Sequence, residues 1–146
     1  MNLVTDKPGE RPVIWEWMHK RNKLPWSSDL RVMAAMRPDG SIASAVGFNA
    51  WALQSCFMHV AFDGAHGLTR GLWRAAFEYP FIQCGMDAVY CLIYKSNDEA
   101  LSLVKKLGYR EIVQTVDSVM FEMKFDECRW IREKEHGKQR LSTSST

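Results

Sequence analysis

SCFMHVAFDGAHGLTRGLWRAAFEYPFIQCGMDAVYCLIYKSNDEALSLVKKLGYRE, residues 55–111, decides the fold. Ser55–Phe62 alternates: Cys56, Met58, Val60 and Phe62 share one face of a strand, and Phe57, His59 and Ala61 share the other. A glycine-containing loop follows, Asp63-Gly64-Ala65-His66-Gly67-Leu68-Thr69-Arg70, with Thr69 placed as an N-cap. The helix beyond it carries Leu72, Trp73, Ala76 and Phe77. Pro80 is expected to kink or restart it, and Gly85 to end it. Ala88–Tyr94 is β-branched and aromatic, hence a strand. Ser96-Asn97-Asp98-Glu99 fits a capping box of Ser96 with Glu99. Ala100, Leu103, Val104 and Leu107 then form an apolar stripe, closed by Gly108 as C-terminal cap. The order is therefore strand, glycine loop, helix, strand, helix. The loop presents backbone N–H groups at a helix start, a ready site for a phosphate or pyrophosphate.

Upstream, Ile14, Trp17 and Met18 fall at helical spacing after Pro12, and Pro25 stops that helix. Its end, Lys20-Arg21-Asn22-Lys23, is basic, as suits the helix dipole. Pro38-Asp39-Gly40 between Arg31–Met36 and Ser41–Trp51 is a hairpin signal. Downstream, Glu111–Thr115 and Val119–Phe125 read as two last strands. The whole order, α-β-β-β-α-β-α-β-β, predicts an α/β (mixed α+β) fold: a mixed sheet of about six strands with helices on both faces. Residues 1–11 read as a flexible N-terminus, 12–131 as a single domain, and the charged, then Ser/Thr-rich 132–146 as a disordered tail.

With 146 residues, one domain with a real core is expected. A formal charge of +2 argues against nucleic acid as a partner and gives no hold on an anionic membrane. No apolar run reaches the roughly 20 residues of a membrane helix, and the N-terminus lacks a signal-peptide core, so a cytoplasmic protein is expected. Cys56, Cys84, Cys91 and Cys128 form no CxxC pair, which predicts reduced thiols, no zinc site and no metal. Cys56 and Cys91 sit in strand-like runs as small apolar fillers. The many aromatics read as core rather than binding surface.

Ser96-Asn97, Ala100, Leu103 and Lys106-Leu107-Gly108-Tyr109 resemble the pattern of the GCN5-related N-acetyltransferases (GNAT): Asn, a helix of small and apolar residues, then Gly and an aromatic. The resemblance covers roughly residues 12–125. Leu68-Thr69-Arg70, Tyr79-Pro80-Phe81, Gly85 and the ending Glu127-Cys128-Arg129-Trp130 are further similar to small GNAT-like proteins encoded by tailed phages, and hence at work in a bacterial host. The resemblance implies a coenzyme A-dependent acyltransferase using acetyl-CoA as cosubstrate and an amine, small molecule or protein, as acceptor. It also implies a splayed pair of central strands, Ser55–Phe62 and Ala88–Tyr94, with the pantetheine arm in the gap near Met58 and Val60. The pyrophosphate would rest on amides of Gly64, His66, Gly67, Leu68, Thr69 and Arg70, with the Arg70 charge beside it, and Asn97 would bond the cofactor near its thiol. A homodimer is compatible with this reading.

The sequence departs from the family at two places. Thr69 stands where the loop's glycine is usual; alternatively the register shifts and Gly67 takes that part. Val104 occupies the place of a tyrosine that serves as general acid. Candidate catalytic residues are His59 on the third strand and Asp63 at its end, each also readable as a rim histidine and a loop cap. Arg129-Trp130 also reads as a fastening of the C-terminus by stacking. The rival to an enzyme is a catalytically weak or inactive GNAT-like binding module, virion-associated or regulatory.

Overall fold

A computed structural model of the chain describes residues 1–131; the tail expected over 132–146 lies outside the described residues. The elements are β1 (Asn2–Val4), α1 (Val13–Asn22), β2 (Arg31–Met36), β3 (Ile42–Asn49), β4 (Ser55–Phe62), α2 (Arg70–Glu78), β5 (Ala88–Tyr94), α3 (Asp98–Leu107), β6 (Arg110–Gln114) and β7 (Ser118–Lys124). The strands form a seven-stranded mixed sheet in the order β1-β2-β3-β4-β5-β7-β6. The predicted order of elements holds, with one strand more. Asn2, Leu3 and Val4 pair antiparallel with Met36, Ala35 and Ala34, in a stretch expected to be loose. Three residues are too few to carry a periodicity. No helix among the described residues is long and apolar enough to cross a membrane.

The chain divides into two compact units. The first comprises Met1–Ala50 and Met58–Ala76. Its β2–β3 hairpin turns at Gly40, whose φ of +89° suits a residue without a Cβ, and the Arg37 N–H donates to the Ser41 carbonyl at 2.8 Å. Helix α1 begins under Asp6, whose carboxylate accepts from the amides of Ile14 (2.9 Å) and Trp15 (3.1 Å). It ends at Lys23, which takes the left-handed conformation (φ +60°). Ile14 and Met18 of α1 pack with Leu24, Leu30, Ala34, Ile42, Ala45 and Ala61 to make this unit's core. The basic helix end, Lys20 to Lys23, is exposed, with the Arg21 guanidinium 3.7 Å from the Trp17 ring centroid.

The second unit comprises Trp51–Phe57 and the chain from Phe77. Here β5 pairs antiparallel with β7 along its whole length, and β7 with β6. The parallel pairing of β4 with β5 consists of Ser55, Cys56 and Phe57 against Ala88, Val89 and Tyr90. The core is aromatic, as expected: Phe77 stacks near Phe81 (6.3 Å), Phe81 meets Phe125 edge-on (5.7 Å), and Tyr109 lies 6.0 Å from Phe77. Pro80 does not break α2. The helix widens into a π-turn over Tyr79–Gln83, and the Cys84 N–H reaches back to the Tyr79 carbonyl (3.0 Å).

Helix α3 is capped by Asn97, not by Ser96: Asn97 Oδ1 accepts from the Ala100 N–H at 3.1 Å. The predicted capping box is therefore shifted by one residue. The C-terminal end is closed by Gly108 (φ +105°) and by the chain's own ending. Trp130 Nε1 donates to the Leu107 carbonyl (2.9 Å) and Arg129 to that of Lys106. The fastening at Arg129-Trp130 thus works through hydrogen bonds to helix carbonyls as well as by the guanidinium lying 4.9 Å from the Trp130 ring centroid.

Candidate functional site

The loop between β4 and α2 is held from below by two consecutive residues of β3. Ala43 accepts the Asp63 N–H through its carbonyl (2.9 Å). The Ser44 hydroxyl donates to the Gly67 carbonyl (2.7 Å). Gly67 is buried in a short 3₁₀ turn, Ala65–Gly67, and its N–H returns to the Gly64 carbonyl at 3.3 Å. A Cβ at Gly67 would lie 2.7 Å from the Ala43 carbonyl oxygen, closer than any real contact, so close packing demands glycine here. The close approach that Gly67 permits is to Ala43 of β3. Its own amide faces inward.

Thr69 is the N-cap of α2, as predicted. Its Oγ1 accepts from the Leu72 N–H (3.2 Å) and its carbonyl from Trp73 (3.2 Å). The Leu68 N–H closes the 3₁₀ turn over Ala65–Gly67; among the described residues the amides of Thr69, Arg70 and Gly71 have no hydrogen-bond acceptor. Three consecutive N–H groups thus lie at the positive end of a nine-residue helix, with exposed Arg70 among them. Gly64 and His66 are exposed on the same loop, and Gly64 needs its φ of +82° for the turn.

Asp63 is tied down: Arg37 Nη2 donates to the Asp63 carbonyl (3.2 Å) and stands 3.8 Å from its carboxylate. Arg37 also reaches Ser41 Oγ and the Ile42 carbonyl, so it links the hairpin to the loop. Sequence reasoning missed both Arg37 and Ser44, since their partners lie far along the chain. On β4, His59 Nε2 is 2.8 Å from Asn49 Oδ1. A carbonyl oxygen only accepts, so Nε2 carries the proton and Nδ1 the lone pair. Burial pushes the His59 pKa below its ordinary value and keeps the ring neutral. Met58 is buried beside it, and the Val60 carbonyl accepts from Asn22 Nδ2 (3.4 Å).

In the second unit, Val104 is buried in α3 at the place where the family carries its tyrosine. Tyr109 is a core residue whose phenol burial drives well above its usual pKa, and Tyr94 is exposed at the end of β5. Burial pushes the thiols of Cys56 and Cys91 up to about 12, which leaves them protonated and poor nucleophiles. Asn97 belongs to this unit, with Oδ1 engaged as a cap. The first unit therefore brings together the loop amides, Arg70, Asp63 and His59.

No model of a known protein family matches the chain, and no curated protein matches it. Solved structures do. Mutant forms of the spermidine/spermine N-acetyltransferase SpeG from Vibrio cholerae are 13% identical over 98% of this chain and 97% of theirs, with a TM-score of 0.71. The N-acetyltransferase PseH from Campylobacter jejuni, in complex with acetyl coenzyme A, is 16% identical over 75% of this chain and 74% of its own, with a TM-score of 0.57. A further structure of PseH covers 85% of this chain and 97% of its own at 15% identity and a TM-score of 0.63. The chain has the fold of these N-acetyltransferases.

Proposed function

We propose that the protein is a GNAT N-acetyltransferase, moving an acetyl group from acetyl-CoA to an amine by direct attack within a ternary complex. One observation carries the reading: three adjacent amides, Thr69 to Gly71, stand without an acceptor among the described residues at the start of α2, behind a glycine packed against β3. Neutral or cationic ligands have no use for such a row; a diphosphate does. The solved fold relatives are N-acetyltransferases, and one holds acetyl coenzyme A.

The residues present fit that group. Amides 69–71 would hold the diphosphate and Arg70 would add a full positive charge. The backbone of β4 around Met58–Val60 pairs with the pantetheine arm and polarises the acetyl carbonyl. When bound, acetyl-CoA supplies the activated thioester. His59, neutral and with Nδ1 carrying the lone pair, takes the proton of the attacking amine; Asp63, engaged by Arg37, fixes the loop. The acceptor is an amine, with polyamines the first class to assay because the SpeG relatives act on spermidine by name.

A second reading has its own support. Val104 is apolar and buried where the family places an acid for the departing thiolate, which favours a binding module of weak or absent turnover. Thermal melting decides. Acetyl-CoA at about 100 times its dissociation constant adds roughly 2.7 kcal/mol to the native state. A raised melting temperature with thioester consumption on a panel of amines supports the enzyme; a raised temperature without consumption supports the module. No shift at millimolar acetyl-CoA overturns both.

A further inference from the structure

We infer that the basic turn closing α1 reads a negative charge on the acceptor, so that the acceptor is an amine carrying a carboxylate or a phosphate; this rests on the acetyltransferase reading above. Between Glu16 and Asp29 the chain has no carboxylate and three cations within four residues, Lys20, Arg21 and Lys23. Cations suit the last turn of a helix, and Lys20 and Arg21 stand there. Lys23 lies beyond it, in the left-handed conformation (φ +60°) where glycine is at home. Arg21 is engaged: its Nη1 donates to the Trp17 carbonyl (3.3 Å) and its guanidinium lies over the Trp17 ring. Glu16 is bound by Arg11 at 2.7 Å. Lys20 and Lys23 are exposed and make no ion pair among the described residues.

The turn that carries Lys23 is fixed from several sides. Trp15 Nε1 (3.0 Å) and His19 Nδ1 (2.9 Å) both donate to the Leu24 carbonyl. Asn22 uses both ends of its amide. Its Oδ1 accepts the Leu24 N–H (3.0 Å), which leaves Nδ2 to donate to the Val60 carbonyl on β4 (3.4 Å). Val60 directly follows His59, the base of the proposed transfer, and Lys23 directly follows Asn22. Each therefore stands one residue, about 3.8 Å between Cα atoms, from the tie, and a lysine reaches out on a four-carbon stem. An acceptor that brings its nitrogen to His59 has a lysine ammonium within reach of a charge a few bonds away. The same pair of lysines repels a polyamine.

The test uses matched amines on the full chain: ethanolamine with O-phosphoethanolamine, glycylglycinamide with glycylglycine, and spermidine as the cationic comparison. The anionic member of at least one pair should be preferred in kcat/KM on the order of 10-fold, the worth of two exposed ion pairs, and less at high salt. The pair with the larger ratio identifies the group. Lys20→Gln with Lys23→Gln should bring that ratio near one, whereas Lys7→Gln, which removes an exposed charge elsewhere in the unit, should not. Binding is read apart from turnover in ¹⁵N–¹H spectra with coenzyme A present, and these decide if no amine is acetylated. The preferred anionic amine, or O-phosphoethanolamine if none turns over, should move the amides of Lys20 to Leu24 and of Val60, and its neutral partner should move them less. A preference for spermidine or for the neutral members, an unchanged ratio in the double variant, or no shift of those amides overturns the inference and leaves the cofactor reading standing. A double variant that loses acetyl-CoA affinity also overturns it, by assigning the lysines to the cofactor. A wild type that binds no acetyl-CoA overturns both.

Discussion

His59 shows how one buried residue ties stability to pH. Its ring is packed into β4, bonded to Asn49, and held below its ordinary pKa of 6.5 by loss of solvent. Between the folded value and 6.5 the unfolded chain binds a proton that the folded chain does not. Stability therefore rises with pH through that window and is lost as pH falls below about 6.5. Melting temperatures from pH 5 to 8 should show this slope, and His59→Gln should flatten it. An unchanged slope in the variant would assign the acid sensitivity elsewhere. The same neutrality is what the base role proposed for His59 requires at neutral pH. Gly67 and Thr69 illustrate a different point. Gly67 allows the loop to pack on Ala43 of β3, and Thr69 caps α2.

At the scale of elements, α3 teaches why a cap pattern can mislead by one position. Ser96 with Glu99 satisfies the capping-box spacing, yet Asn97 also precedes a helix former at the same interval. The turn that decides between them is the Asn97 N–H bonding to the Tyr94 carbonyl (2.9 Å) at the exit of β5, which places Asn97 at the helix entrance. Asn97→Ala should cost about 1 kcal/mol in urea denaturation, the usual worth of a cap. Ser96→Ala, at an exposed position, should stay within about 0.5 kcal/mol. The reverse order would contradict the observed cap. Helix α2 shows the opposite lesson. Its proline forecasts a kink or restart, and the helix instead widens to a π-turn, in which the Cys84 N–H donates to the Tyr79 carbonyl.

For the molecule as a whole, the four cysteines report which thiols the fold hides. Cys56, Cys91 and Cys128 are buried, and burial pushes their pKa values up to about 12, 12 and 11; Cys84 is half-buried. A chromogenic disulfide reagent at pH 8 should find one fast thiol in the native protein, removed by Cys84→Ser, and four in urea. Fast reaction of Cys56 or Cys91 would mean that β4 and β5 open. Much of this was legible in the chain itself. Element order, the Asp39-Gly40 hairpin, the Thr69 and Gly108 caps and the glycine loop depend on residues a few positions apart, and nearest neighbours in sequence carry that information. The edge strand β1, the Asp6 carboxylate under α1, the Arg37–Asp63 tie and the Ser44–Gly67 bond were not legible. Each joins distant segments through strand register or chain reversal, and no local pattern encodes those. The sequence alone therefore determined that a loop able to meet an anion stands between a strand and a helix. Only the tertiary structure decided which amides that loop turns outward, because peptide planes are oriented by partners across the fold rather than along the chain.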